Sequence, residues 1–367
     1  MLYTTRCPWQ NGGMKIIVGL SGGVDSSVTA LMLKNEGHEV TGVTMKIWRE
    51  GRYAGGDKNA CLGPKSAAAF AAAEDFCRRA GIPYHAFDCA DEHEEAIIRY
   101  YREEHLAGRT PNPCIRCNAL IKFGLLPKLA AKDGVEFDKF ATGHYARIDA
   151  LGEDGRFRLL RAVDQFKDQS YFLNRLSQEQ LARQIFPVGH LTKLEVRRIA
   201  HEFGIAAADK PDSQDFYSGE REELIGAPDR EGDIVDESGV VVGKHSGFWK
   251  YTIGQRKGLG VARPRPLYVI ELDACRNRVV VAEVERTVST SLIAADCNWV
   301  SINEPDALDG IQIKVRSAGN PLPNVSLRNL GGGKARVEFP DGIAGVAPGQ
   351  SAVFYDGDVV LGGGTIC

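Results

Sequence analysis

The chain has 367 residues and a formal net charge of −3, with 43% hydrophobic and 25% charged residues. Those proportions are those of a water-soluble globular protein, and the length predicts two or three domains. They exclude a chain that binds nucleic acid as a bulk polycation, so any such site must be a local basic face. No apolar run approaches the roughly 18 residues of a membrane span. Residues 1–13 lack the apolar stretch of a secretory signal and are expected to form a disordered extension, with Met14 as an alternative start. Nine scattered cysteines, an odd number, predict a reducing, cytoplasmic setting rather than a disulfide framework.

In chain order, residues 15–20 (KIIVGL) are an apolar strand running into a glycine-rich turn, and 26–35 read as a helix. Residues 38–46 form a second strand, 67–80 an alanine-rich amphipathic helix stopped by Gly81-Ile82-Pro83, 84–88 a third strand and 137–143 a fourth. Strands alternating with helices at this spacing predict a doubly wound α/β domain with a parallel sheet. The character changes near residue 217. Residues 233–242 read as a hairpin turning at Ser238-Gly239, and 267–271 with 278–282 as another strand pair. From 291 onward, short alternating segments at 311–316, 335–339, 351–355 and 359–361 predict a small β-barrel, with Gly331-Gly332-Gly333 as a turn. The expected domains are therefore 14–217 (catalytic), 218–285 (central, mostly β) and 286–367 (C-terminal barrel).

The strongest local signal is Gly19-Leu20-Ser21-Gly22-Gly23-Val24-Asp25-Ser26-Ser27, between a strand and a helix. Glycines let backbone N–H groups wrap an anion, and the helix start adds its positive dipole end. Ser21, Ser26 and Ser27 can donate further hydrogen bonds. Asp25 beside a phosphate calls for a bridging Mg²⁺. A Walker loop would carry a lysine, which is missing here. A generic helix-capping Gly-Ser turn is the plain alternative. The Ser-Gly-Gly-x-Asp-Ser pattern resembles the pyrophosphatase loop of enzymes that adenylate an oxygen by splitting ATP between its α and β phosphates. The loop would hold the leaving pyrophosphate.

A second signal is Gly108-Arg109-Thr110-Pro111-Asn112-Pro113-Cys114-Ile115-Arg116-Cys117-Asn118. Two prolines hold the chain extended before a Cys-x-x-Cys that opens a helix. The helix start, with Arg109, Arg116 and Lys122, is expected to lower a thiol pKa and favour thiolate. A buried cysteine pair and half of a zinc site are the alternatives, the latter without a matching second pair. Arg147, Arg156, Arg158, Arg161, Lys167 and Arg175 cluster in sequence as phosphate contacts or as a solvated face. Arg256 and Lys257 sit in a glycine-flanked basic turn suited to an RNA backbone.

Together these motifs resemble the tRNA-specific 2-thiouridylases. The likeness also takes in Thr44-Met45-Lys46, residues 141–147 (ATGHYAR), 167–173 (KDQSYFL), 210–214 (KPDSQ), 251–260 (YTIGQRKGLG) and 348–355. Ordered motifs over about 330 residues do not arise by chance. The resemblance implies ATP contacts at Gly19, Leu20, Ser21, Gly22, Gly23, Val24, Asp25, Ser26, Met45 and Gly143, with Met45 beside the adenine. It implies tRNA contacts at His144, Lys167, Asp168, Gln169 and Gln350, and a target base near Asn112, Pro113 and Cys114. Cys117 aligns with the family's catalytic cysteine, and Cys117, Cys114 and Asp25 are the expected catalytic groups. Read alone, Met45 is core, His144 a structural histidine and Lys167-Asp168 a solvated pair.

The sequence departs from the family at two places. Cys114 stands where an Asp is usual, and Tyr217 where a second catalytic cysteine is usual. Two ways of handling sulfur remain open. Cys114 and Cys117 are a persulfide/resolving pair, or Cys61, Cys114 and Cys117 hold a [4Fe–4S] cluster, as related tRNA-thiolating enzymes do. Cys61 is otherwise a small buried hydrophobe. The expected activity is adenylation of the C2 oxygen of wobble uridine 34 with ATP and Mg²⁺, then sulfur transfer giving 2-thiouridine in tRNAs for Lys, Glu and Gln. The base must leave its stack to be reached. The expected partners are tRNA and a sulfur donor, whether a cysteine desulfurase, a sulfur-relay protein or free sulfide. The rival readings are an adenylating ligase or amidotransferase on a small molecule and an inactive tRNA-binding homologue.

Overall fold

The computed structural model describes residues 13–56, 60–149, 155–208 and 215–367. Its first body is a parallel sheet of β1 (Lys15–Gly19), β2 (Glu39–Lys46), β4 (Tyr84–Asp88), β5 (Lys139–Thr142) and β8 (Gln184–Ile185), in the order β4-β2-β1-β5-β8. Alternation along β1 explains its two covers. Ile16 and Val18 join Ala30 and Leu33 of helix Val24–Asn35 and Ala73 and Cys77 of helix Lys65–Ala80. Ile17 points the other way, into a cluster with Phe123, Leu126 and Phe140. The predicted doubly wound sheet is thus present. Because the chain leaves β1 first towards β2 and only later returns to β5, the carboxyl ends of β1 and β5 form a switch point, where such sheets bind ligands.

Of two long helical stretches, 90–106 and 113–132, the first was not predicted and the second only at its start, where the cysteines open it. Each contains a wide π-helical segment, Glu94–Ile98 and Asn118–Leu125, which breaks the 3.6-residue period that reveals helices. A short parallel pair, β3 (Ala60–Leu62) and β9 (Asp215–Tyr217), closes one side of the site.

The central body is a sheet of β10 (Gly232–Asp236), β11 (Val241–His245), β12 (Tyr268–Asp273) and β13 (Arg278–Ala282). Its first turn is built by Asp236, whose Oδ1 accepts from the amides of Ser238 and Val240. The last body is a barrel of β14 (Val288–Asn298), β15 (Ala307–Lys314), β16 (Leu322–Gly331), β17 (Lys334–Ala344), β18 (Ser351–Asp356) and β19 (Val359–Ile366), closed by the β14–β19 pairing. A hairpin from the catalytic region, β6 (Ala146–Asp149) and β7 (Arg158–Arg161), extends this sheet through Leu160 opposite Val359.

Candidate active site

At the end of β1 the backbone turns through Gly22 at φ +72°, and a Cβ there would lie 2.3 Å from the Ala69 carbonyl oxygen, so only glycine fits. Ser26 closes the turn: its Oγ accepts from the Ser21 amide at 3.3 Å and donates to the Gly23 carbonyl at 3.2 Å. Thr44 anchors the loop to β2 through a 2.8 Å bond to the Leu20 carbonyl. Helix Val24–Asn35 starts at Gly23 with no side-chain cap. Its first N–H groups are therefore open to an anion.

Asp25 does not stand ready for a metal. Lys193 Nζ donates to its two oxygens at 2.7 and 2.9 Å, and Tyr145 OH donates to Oδ1 at 2.9 Å. In this structure the cation beside Asp25 is the Lys193 ammonium. Lys193 was missed by the sequence reading. It brings to the loop the lysine that the loop itself lacks, from a helix (Lys193–Glu202) whose capping box of Thr192 and Glu195 was legible but whose target was not.

The predicted helix at the cysteines is present. Asn112 caps it by accepting from the Ile115 amide at 3.4 Å, with Pro113 in the first turn. Cys114 and Cys117, three apart, share a helix face. Thiolate is not favoured, contrary to expectation: burial pushes Cys117 up to about 12, only partly opposed by Lys122. Desolvation dominates, and the arginines that were expected to oppose it are engaged elsewhere. Arg109 pairs with Glu104, and Arg116 donates to the Ala96 carbonyl and lies over the Tyr100 ring.

Residues 142–145 link the two halves of the site. Gly143 presses on the phosphate-loop helix, where a Cβ would lie 2.6 Å from the Ser26 nitrogen. His144 Nδ1 meets Thr142 Oγ1 at 2.7 Å and Nε2 meets Lys122 Nζ at 3.5 Å. An ammonium can only donate, so Nε2 accepts and Nδ1 carries the proton. Burial and Lys122 hold His144 neutral, far below its ordinary pKa. Tyr145 then reaches Asp25. One four-residue segment touches the nucleotide loop, the group beside the thiol, and the Asp25–Lys193 pair. Met45 lies partly buried near the carboxyl end of β2.

Tyr217 is buried, and its hydroxyl bonds Glu223 and accepts from the Gly55 amide at 3.1 Å, latching the 49–56 loop. The Lys210–Gln214 motif lies outside the described residues. Cys61 is exposed on β3, between residues paired with Asp215 and Tyr217. Among the described residues no three His, Cys, Asp or Glu side chains converge to hold a metal ion. Cys61, Cys114 and Cys117 are not such a group as placed, Cys61 lying on a strand and the other two on one helix face.

The expected RNA contacts divide. Arg256 and Lys257 are exposed on a turn braced by Gln255, whose Nε2 donates to the Lys257 carbonyl at 2.9 Å. That turn borders a cavity of 390 Å³ also lined by Arg263 and Arg265. Lys167 is exposed. Asp168 is not available: its side chain is 1% exposed and accepts from the amides of Ala162 and Ser170. Gln169 is tied to Tyr145 by two bonds, of 2.8 and 3.0 Å. Gln350 donates to the Thr110 carbonyl at 2.9 Å, and Thr110 N donates to the Pro348 carbonyl at 2.7 Å, so the barrel braces the strap before the cysteines. Three of the clustered arginines are engaged with the barrel. Arg147 pairs with Asp358, Arg156 donates to the Trp299 carbonyl and Arg175 to Thr365 Oγ1, bolting the catalytic region to the barrel.

An uncapped helix start at the switch point of a parallel sheet places this chain among the α/β enzymes that bind nucleotide phosphates on backbone amides. Comparison with known proteins is more specific. A family model described as the tRNA methyl transferase HUP domain matches residues 14–217, a tRNA methyl transferase PRC-barrel domain 225–283 and an aminomethyltransferase beta-barrel domain 289–366. The tRNA-specific 2-thiouridylase MnmA of Endomicrobium trichonymphae is 45% identical over 359 residues, spanning 96% of this chain and 99% of that one. The enzyme of the same name from Geobacter metallireducens is 44% identical over 362 residues, 96% of each chain. The chain belongs to the tRNA-specific 2-thiouridylase family. Among solved structures, the U34-tRNA thiolase NcsA from Methanococcus maripaludis with its [4Fe-4S] cluster aligns at 19% identity and a TM-score of 0.35, over 55% of this chain and 61% of that one. That likeness is too slight to carry an argument.

Proposed function

We propose that this chain is an ATP-dependent tRNA 2-thiouridylase acting on wobble uridine 34, in the cytoplasm, on tRNAs for Lys, Glu and Gln. The observation that carries the reading is the 142–145 segment, which couples a phosphate loop to a helix bearing two thiols. Residues 14–217 form the catalytic unit, while 218–285 and 286–367 grip the tRNA. The Gly19–Ser26 loop takes the ATP phosphates on backbone amides, with Mg²⁺ arriving on the nucleotide, and Lys193 offsets charge at the loop. Met45 and Gly143 border the nucleotide. The uridine, out of its stack beside Asn112 and Pro113, gives its C2 oxygen to the α phosphate and pyrophosphate leaves.

Cys114 and Cys117 then handle sulfur. Three residues apart on a helix, their Cα atoms lie about 5 Å apart, within disulfide reach. Hydrosulfide attacks a Cys114–Cys117 disulfide, giving a persulfide on Cys117 and a thiolate on Cys114. The terminal sulfur attacks C2 and AMP departs. Cys114 then attacks the Cys117 sulfur, releasing 2-thiouridine and re-forming the disulfide. When a persulfide-carrying protein is the donor instead, each cycle consumes a two-electron thiol reductant. Tyr217, latched to Glu223, takes no part.

The test is thiolation of an unmodified tRNA transcript under anaerobic conditions with ATP, Mg²⁺ and sulfide. Protein stripped of iron is compared with protein reconstituted with an iron–sulfur cluster. Thiouridine from the stripped protein, abolished by Cys117→Ala with ATP binding intact, supports the persulfide pair. Product only after reconstitution overturns the sulfur step. Pyrophosphate release with a small substrate and no tRNA overturns the function itself.

A further inference from the structure

The fully exposed aromatic ring at Phe166 has no role in the reaction above. Phe166 is 101% exposed, with Leu194 at 79% and Val163 at 49% nearby. The loop that carries it is rigidly built. Asp164 Oδ1 accepts from the amides of Phe166 at 3.1 Å and Lys167 at 3.3 Å, and Oδ2 accepts from the Lys193 amide at 2.9 Å. Gln165 Nε2 donates to the Ala162 carbonyl at 2.6 Å, and the Ala162 amide donates to Asp168. The ring is thus held out in water by a turn whose polar groups are satisfied. Exposing a large apolar side chain on a pre-organised turn suits a partner that covers it.

We propose that Phe166 stacks on an unpaired nucleobase of the bound RNA; this rests on the RNA-modifying reading above. A base offers a flat π-face that any aromatic ring can cover, and Lys167 beside the ring provides a cation for the adjoining phosphate. The Asp164 carboxylate, taken up by three amides, presents little bare negative charge to that phosphate. The loop also reports to the site. Three residues on, Gln169 is bonded to Tyr145, and Lys193, whose amide holds Asp164, reaches Asp25. A stacked base would therefore brace the turn that leads to the nucleotide loop. A sulfur-donor protein is the competing occupant, but one ring with Leu194 and Val163 beside a lysine offers it little area.

The test uses the full chain and a tRNA transcript carrying uridine 34. Phe166→Ala is expected to weaken transcript binding about tenfold, the worth of one stacked base, with an unchanged melting temperature. Phe166→Trp should bind as the wild type does, and its emission should be quenched by RNA beyond any change in the wild-type tryptophans. Wild-type affinity in Phe166→Ala with unquenched Phe166→Trp emission overturns the stacking while leaving tRNA binding intact. Unchanged RNA binding with thiolation lost only when a protein sulfur donor replaces sulfide would overturn it in favour of the donor. A wild-type chain that fails to bind the transcript removes the RNA reading itself.

Discussion

Replacing Lys193 by Met removes the cation from Asp25 while keeping most of the stem volume. The pair is neither a surface bridge nor a buried one: the side chains are 11% and 25% exposed. Exposed pairs contribute about 0–1 kcal/mol and breaking a buried one costs about 3–5, so a loss of about 2–3 kcal/mol is expected. Tyr145 leaves Asp25 with one remaining donor, which limits the loss. ATP affinity should fall about tenfold, because an uncompensated carboxylate then faces the phosphates. The assay is denaturant unfolding and ATP titration on Lys193→Met, Asp25→Asn and the double variant. The double variant should recover at least 1 kcal/mol relative to the sum of the singles, since the partners interact directly. Strict additivity, or a Lys193→Met protein within 0.5 kcal/mol of wild type, refutes the reasoning.

Iodoacetamide labelling of Cys117 should rise with pH well above neutrality, because burial holds its pKa near 12. Lys122 lowers that pKa, so Lys122→Met must raise it further and slow labelling at pH 8; faster labelling contradicts the assignment. Gly143→Ala drives a Cβ within 2.7 Å of backbone atoms at Asp25 and Ser26, and should weaken ATP binding at least about tenfold; wild-type titration curves would show that the contact yields. Tyr217→Cys should restore no second sulfur site and cost about 3 kcal/mol from the cavity and the lost Glu223 bond, read by denaturant unfolding. A gain in thiolation rate speaks against the latch. His93 and His105 are buried and neutral, with pKa values down to about 4 and about 3. The unfolded chain binds their protons first, so stability should fall as pH drops from about 6.5 towards 3, followed by melting temperature across that window.

The phosphate loop was legible because its glycines, strand and helix lie within one local stretch, where spacing alone dictates a turn against a helix start. The barrel strands were legible in part. Residues 311–316 alternate apolar and polar in sequence, whereas 352–355 is a continuous buried apolar run, and β14 and β16 carry bulges that shift the alternation, as at Ser289/Ser291 and Asn329/Gly331. The 90–106 helix, and the extent of the helix that the cysteines open, were hidden for the same kind of reason, their π turns. Lys193 escaped because a lysine in the first turn of a capped helix reads as solvated, and only the packing of that helix against Val24–Asn35 points it at Asp25. The arginine cluster stayed open between phosphate contacts and a solvated face because sequence gives charge but not partner. Asp358 and the Trp299 carbonyl, which claim Arg147 and Arg156, lie in a different domain.

The β6–β7 hairpin sets an order of events during synthesis. Leu160 leaves the ribosome roughly 200 residues before Val359, which at about 5–20 residues per second is a wait of about 10–40 s. Until then the edge of β7 and the arginines beside it have no barrel to meet. The nascent catalytic region thus carries an open strand edge, the feature that invites pairing with other chains, through most of translation. A copy that stalls before β19 would be an aggregation-prone fragment rather than a smaller enzyme, so one strand decides whether the earlier part of the chain is safe to release.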